Sequence, residues 1–252
     1  MSLSSIFRFK EKQTAPADHA TVEADTSVRL DSPLFQAMSP ALQDQVVNHQ
    51  HLWRYLNQDS VQSMGVPEFL PRLGKAQKSV RQPNLIYPTG GNVFVHLYQT
   101  EDDSRNVYFP IEPGASLDGS SLIREIDRKL IDHVGELQKA ASVEDQEERV
   151  EILLEILGKI CQTDGKNRRG SIQVTKDELQ QLEYLLVRDK EGLGAIQPLI
   201  SDPYIEDVSC SGVGPVFLEH KIFGALKAGI VFDDMEQLDH FVIQLSERIG
   251  RP

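Results

Sequence analysis

Cysteine is scarce in this chain: Cys161 and Cys210 are the only two among 252 residues. They stand far apart and match no metal-ligand spacing, so reduced thiols in a cytosolic setting are the default reading. Long apolar runs are also missing. None approaches the ~20 residues that a membrane-spanning helix needs. The opening residues MSLSSIFRFK are too short and too broken for the apolar stretch of a secretory leader. Positive charge is in short supply, with 26 Lys and Arg against 38 Asp and Glu and a formal charge of -12. Nucleic acid is therefore excluded as an expected partner, because affinity for phosphate backbones comes mainly from clustered Lys and Arg. The excess acid favours solubility and suits a basic protein partner.

A phosphate-binding loop is absent from the sequence as well. Such a loop needs Gly-x-x-x-x-Gly-Lys-Ser/Thr, a strand-to-helix turn whose backbone amides cradle phosphates. Gly-Lys occurs at Gly74-Lys75, Gly158-Lys159 and Gly165-Lys166. The residues five places earlier are Phe69, Leu153 and Ile160, and no Ser or Thr follows any of the three. These 252 residues alone are not expected to hold nucleotide in that manner.

What is present reads in order along the chain. Residues 1–32 are polar and aperiodic and read as a mobile tail. Ser39-Pro40 predicts a helix start, with a single helix to about Tyr55 that puts Leu42, Val46, His49 and Trp53 on one face. Lys75, Lys78 and Arg81 lie in a proline-flanked loop that reads as a solvated basic face. Val93–Tyr98 and Val107–Ile111 predict an antiparallel hairpin across the polar residues 100–106. Alternation places Val93, Val95 and Leu97 on one face and Phe94, His96 and Tyr98 on the other. Helical spacing runs from Leu122 to Leu137 and again from Val150 to Ile160, with Ser142 and Asp145 as a box before the second. Thr175 and Glu178 open a further helix through about Val187. Strands follow at Ile205–Cys210, Val216–Glu219 and Leu226–Phe232. Asp233 and Asp234 cap a last helix, Met235–Ile249, with Leu238, Phe241, Val242 and Leu245 as its buried stripe.

These elements predict an α+β protein, a mixed helix and hairpin domain over residues 33–165 and a small antiparallel-sheet domain with helices on one side over 166–252. No catalytic constellation and no metal site is read from the residues. Asp202-Pro203-Tyr204-Ile205-Glu206-Asp207 carries three acids, and its structural reading is a capped turn entering a strand. His49 and His51 lie two apart, which on one helix points them to different sides. His96 reads as a wet or paired strand histidine. Gly192 reads as a helix terminator with positive φ, and Gly212 and Gly214 as turn residues.

One stretch carries more. Over residues 179–252 stand Arg188-Asp189, Gly192-x-Gly194, Pro198-Leu199, the Asp202–Asp207 run, His220, Phe223-Gly224 and Glu247-Arg248-Ile249-Gly250-Arg251-Pro252. This stretch resembles the secretion-type assembly ATPases, the motors of type II secretion, type IV pili and archaella, most closely in their archaeal branch. Upstream, Tyr87-Pro88, the hairpin and Glu112-Pro113 resemble the first N-terminal domain of that branch. Ser211 and Leu226–Gly229 depart from the family pattern.

The resemblance implies two N-terminal domains that precede an ATP-hydrolysing core placed beyond Pro252. In the full-length family, ATP and Mg bind beside that core, the ring is a homo-hexamer, and a membrane platform protein is the partner. Location is then cytoplasmic, peripheral at the inner face of the membrane. Arg248 and Arg251 would border the nucleotide cleft, where arginine's fork of donors suits phosphate. Dipole compensation at a helix C-terminus is the competing role for both. For this chain alone, no cofactor is expected. The alternative reading is a stand-alone, non-catalytic interaction module.

Overall fold

The computed structural model describes residues 28–100, 105–117, 120–165, 170–248 and 250; most of the expected tail lies outside them. Four helices open the described chain: α1 (Pro33–Ala37), α2 (Pro40–Asn48), α3 (Gln50–Leu56) and α4 (Asp59–Gln62). Ser39 caps α2, its hydroxyl accepting the Leu42 N–H at 3.3 Å, with Pro40 in the first turn. The single helix expected to Tyr55 is instead two. His49 leaves the helical region at φ -132° and ψ 89° and joins α2 to α3. That break lets both helices bury an apolar face, with Leu42, Val46, Leu52, Trp53 and Leu56 packed in one cluster.

The strands that follow are β1 (Glu68–Phe69), β2 (Asn84–Gly90), β3 (Val93–Gln99) and β4 (Asn106–Ile111). β3 and β4 form the expected antiparallel pair, with Leu97 opposite Tyr108. β2 has no counterpart in the sequence reading. It pairs antiparallel with β3 through the turn Gly90-Gly91-Asn92, whose residues all take positive φ, 105°, 57° and 64°. Val93 to Tyr98 are buried without exception, so β3 is covered on both faces. One face carries Ile86, Phe94, Tyr98, Phe109 and Ile111 against the helices. The other carries Leu85, Tyr87, Val95, Leu97 and Tyr108, all buried.

Next come α5 (Ser121–Ile131), α6 (Val134–Ala141), α7 (Gln146–Ile160), the short pair β5 (Cys161–Gln162) and β6 (Ile172–Gln173), and α8 (Lys176–Lys190). Their core gathers Ile126, Leu130, Ile156, Leu157, Leu182 and Leu186. Thr175 and Glu178 make a reciprocal box at the start of α8, with bonds of 3.1 and 2.7 Å. The box expected from Ser142 and Asp145 does not form. Ser142 ends α6, donating to the Lys139 carbonyl, while Asp145 caps α7 through the Glu147 N–H. Gly192 does not take positive φ; Gly194 does, at 55°. Gly192 is required for space, since a Cβ there would stand 2.6 Å from the Arg188 carbonyl oxygen and 2.8 Å from Gln197 Oε1.

The last elements are α9 (Gln197–Ser201), β7 (Ile205–Ser209), β8 (Gly214–His220), β9 (Gly224–Phe232) and α10 (Met235–Arg248). β7, β8 and β9 form the expected antiparallel meander, yet not a sheet of their own. β9 pairs in parallel with β4, Val107 opposite Lys227, giving one mixed seven-stranded sheet in the order β1-β2-β3-β4-β9-β8-β7. Gly229 permits this approach, because a Cβ would meet the Phe109 ring at 2.6 Å. Asp234 caps α10 through the Gln237 N–H, as expected. Its buried stripe is narrower than expected: Phe241 is buried, but Val242 is 51% exposed. α10 packs through Phe241 onto Phe232 of β9, with ring centroids 5.2 Å apart, and that leaves Val242 outside the contact.

The protein is therefore α+β. Two compact units are present, one being Pro113–Gln197 and the other the described residues up to Glu112 and from Pro198 onward. The linear boundary expected at residue 165 falls inside the first of these. No helix among the described residues is long and apolar enough to cross a membrane.

Candidate functional site beneath the Asp202 turn

Pro203 cannot continue a helix, so α9 stops and the chain turns into β7. Asp202 makes the turn by accepting the Tyr204 N–H on Oδ1 at 2.8 Å, which is the expected capped turn. The same carboxylate is buried, at 3% exposure. Its Oδ2 accepts the hydroxyls of Tyr87 on β2 at 2.7 Å and Tyr108 on β4 at 2.9 Å. Two donors from distant strands and one from the turn itself thus converge on one side chain. Burial pushes the Asp202 pKa up, and the bonds from Tyr87, Tyr204 and Tyr108 oppose that rise. The two phenols are driven well above their ordinary range, chiefly by burial.

His220, at the end of β8, completes the cluster. Its Nδ1 accepts the Ile222 and Phe223 N–H groups at 3.1 and 3.3 Å, which assigns the proton to Nε2. Nε2 then donates to the Tyr87 hydroxyl at 3.3 Å, and Tyr87 passes its own proton toward Asp202. The ring stacks on Tyr204, 5.7 Å between centroids at 19°. Burial lowers the His220 pKa to about 4, so the ring is neutral at pH 7. The Tyr204 hydroxyl reaches back to Leu73, accepting its N–H at 3.0 Å and facing its carbonyl at 3.2 Å.

Every partner in this cluster is spoken for within the fold. Its chemistry is that of a closed hydrogen-bond network, which fixes the 202–204 turn and the 73–74 loop to the sheet. A second network of the same kind lies on the opposite face of β3. Buried His96 meets the Tyr55 hydroxyl at Nδ1 and Asn84 Oδ1 at Nε2, both at 2.8 Å. Burial lowers its pKa to about 3. His96 is thus a paired strand histidine.

His49 and His51 correct another expectation. Their rings lie 5.8 Å apart, and both flank Phe94, because the break at His49 removes the single-helix geometry that would have separated them. Among the described residues no group of three or more His, Cys, Asp or Glu side chains could hold a metal ion. Arg251 and the side chain of Arg248 lie outside the described residues. Arg188 and Asp189 pair with each other at 2.8 Å, both largely buried, at the end of α8.

No known protein-family pattern matches the chain. The chain is similar to the uncharacterised protein MJ0900 of Methanocaldococcus jannaschii, 30% identical over 221 residues that cover 84% of this chain and 40% of the relative. It is also similar to the uncharacterised protein MJ1288 of the same organism, 39% identical over 83 residues, or 32% of this chain and 33% of that protein. The chain thus spans well under half the length of the curated relatives it matches.

Sequence reasoning singled out Asp202 and His220 but missed Tyr87 and Tyr108 as their partners. The available signal was weak: two tyrosines facing one way on strands otherwise rich in aliphatic residues. A buried hydroxyl requires an acceptor, yet nothing local in sequence names it.

Proposed function

We propose that this chain is the N-terminal regulatory and docking region of a hexameric ATPase that powers type IV pilus, archaellum or type II secretion assembly. The resemblance over residues 179–252 carries the reading. Two further points support it. The first relative is longer than the matched region, with room for a core. The motif residues Asp202, Tyr204 and His220 form a rigid pin under the turn, as a signature kept for its fold would.

On this reading the second module is residues 166–252, whose strands β7, β8 and β9 lie in one sheet with β1–β4. ATP and Mg bind in a cleft between the second module and a core that follows it, with Arg248 and Arg251 at the rim. Nucleotide turnover moves the module as a rigid body and drives a membrane platform protein from the cytoplasmic side. On this reading these 252 residues alone do not hydrolyse ATP, because the phosphate-binding loop belongs to the core.

Reading the coding sequence beyond the Pro252 codon tests this directly. An in-frame Gly-x-x-x-x-Gly-Lys-Ser/Thr, with ATP hydrolysis by the longer product that is lost on replacing its lysine, is the expected result. A stop codon with no core nearby refutes it. That outcome would favour the second reading, a stand-alone interaction module, which the lack of a phosphate-binding loop motivates.

A further inference from the structure

The chain carries 38 acidic residues, yet none lies between Glu68 and Glu101. Within that acid-free stretch stand Arg72, Lys75, Lys78 and Arg81, spaced by three. Lys75–Ser79 is a 3-10 helix, in which residues three apart eclipse one another. Lys75 and Lys78 therefore project in one row, about 6 Å apart along the axis. All four cations are exposed, and none takes part in the ion pairs found among the described residues.

The loop is also held in place. Leu73, buried at 8% exposure, is clamped on both backbone groups by the Tyr204 hydroxyl. Gln77 closes the first turn on the Gly74 N–H at 2.9 Å, and Ser79 bonds the Ala76 carbonyl. Beyond Leu73, every residue from Pro71 to Gln82 is exposed except half-buried Gln77, and Val80 adds an apolar side chain at 39% exposure.

We propose that this loop is the contact between the protein and an anionic membrane surface. The inference rests on the peripheral-membrane part of the reading above. A projecting row of cations with one exposed apolar neighbour suits a headgroup layer, which needs no cleft. A small anion is held best in a concave seat that surrounds it, whereas these four side chains are exposed. The rest of the chain is acidic, so its repulsion from the same surface turns this loop toward the bilayer. Screening over about 8–10 Å confines both effects to the nearest charges.

Co-sedimentation of the 252-residue chain with vesicles tests the assignment. Vesicles of phosphatidylcholine with phosphatidylglycerol should bind it, and phosphatidylcholine alone should not. Each lysine contributes about fivefold, so Lys75→Gln with Lys78→Gln should weaken binding about thirtyfold. The equal charge change Lys139→Gln with Lys176→Gln, also at exposed positions, should leave binding unchanged. Equal loss from both pairs, or no binding to either vesicle, overturns the proposal. Binding to polyglutamate without binding to vesicles overturns it too and assigns the loop to an acidic protein segment. None of these outcomes touches the coding-sequence test, so failure here leaves the ATPase reading standing.

Discussion

Acid should destabilise this protein through two histidines that the fold keeps neutral. His96 and His220 have pKa values lowered to about 3 and about 4, in each case chiefly by burial. An unfolded histidine titrates near 6.5, so below that pH the unfolded chain binds protons that the native state refuses. Stability is therefore complete above pH 6.5 and falls as pH drops, for His220 down to about 4 and for His96 down to about 3. Each residue contributes a slope of about 1.4 kcal/mol per pH unit within its window. At pH 4.5 each has cost about 2–3 kcal/mol, a large part of the ~5–15 kcal/mol that domains possess. Asp202 runs the other way, since its raised pKa makes the native carboxyl the better proton acceptor.

Urea unfolding at pH 7 and pH 4.5 provides the assay. His96→Asn should lower stability at pH 7, because Tyr55 and Asn84 lose their partner, while flattening the pH dependence by about 1.4 kcal/mol per unit. Equal pH dependence in the variant and the parent would refute the argument. So would a His96 imidazole that titrates near 6.5 in the native protein by NMR.

Two further substitutions probe the sheet. Asp202→Asn keeps an acceptor for the Tyr204 N–H but takes the anionic acceptor from two phenols, and should cost about 2–4 kcal/mol in urea unfolding. Gly229→Ala drives a methyl group into the Phe109 ring and should cost about 1–3 kcal/mol, with recovery when Phe109→Leu is added; a cost that Phe109→Leu leaves unchanged would place the strain elsewhere.

Local signals were legible where a side chain meets its own neighbourhood. The Thr175–Glu178 box, the Ser39 and Asp234 caps and the Asp202 turn all close within four residues, and each formed as expected. Gly90-Gly91-Asn92 carries a hairpin-turn signal in its own residues, and β2 follows from it. The break at His49 has no glycine or proline to announce it. The β4–β9 pairing was not legible, because neither strand shows in its own residues which distant edge it will meet. For the same reason the burial of Asp202 could not be read: its two phenolic donors come from residues 87 and 108. Gly192 stands out in the sequence as a helix terminator, but what requires glycine there is the room it leaves beside Arg188 and not a positive φ.

Val107 and Lys227 lie opposite each other although 120 positions part them in sequence. The entropy of closing so long a loop must be met before this pairing yields any contact, which makes the β4–β9 seam a late event in folding. During synthesis, β1 to β4 emerge first and wait with one strand edge open until β9 has left the ribosome. An open edge of that kind invites pairing with another chain. Expression at low temperature or with a chaperone should therefore raise the yield of folded protein more than any single stabilising substitution, and fragments cut between residues 112 and 198 should aggregate.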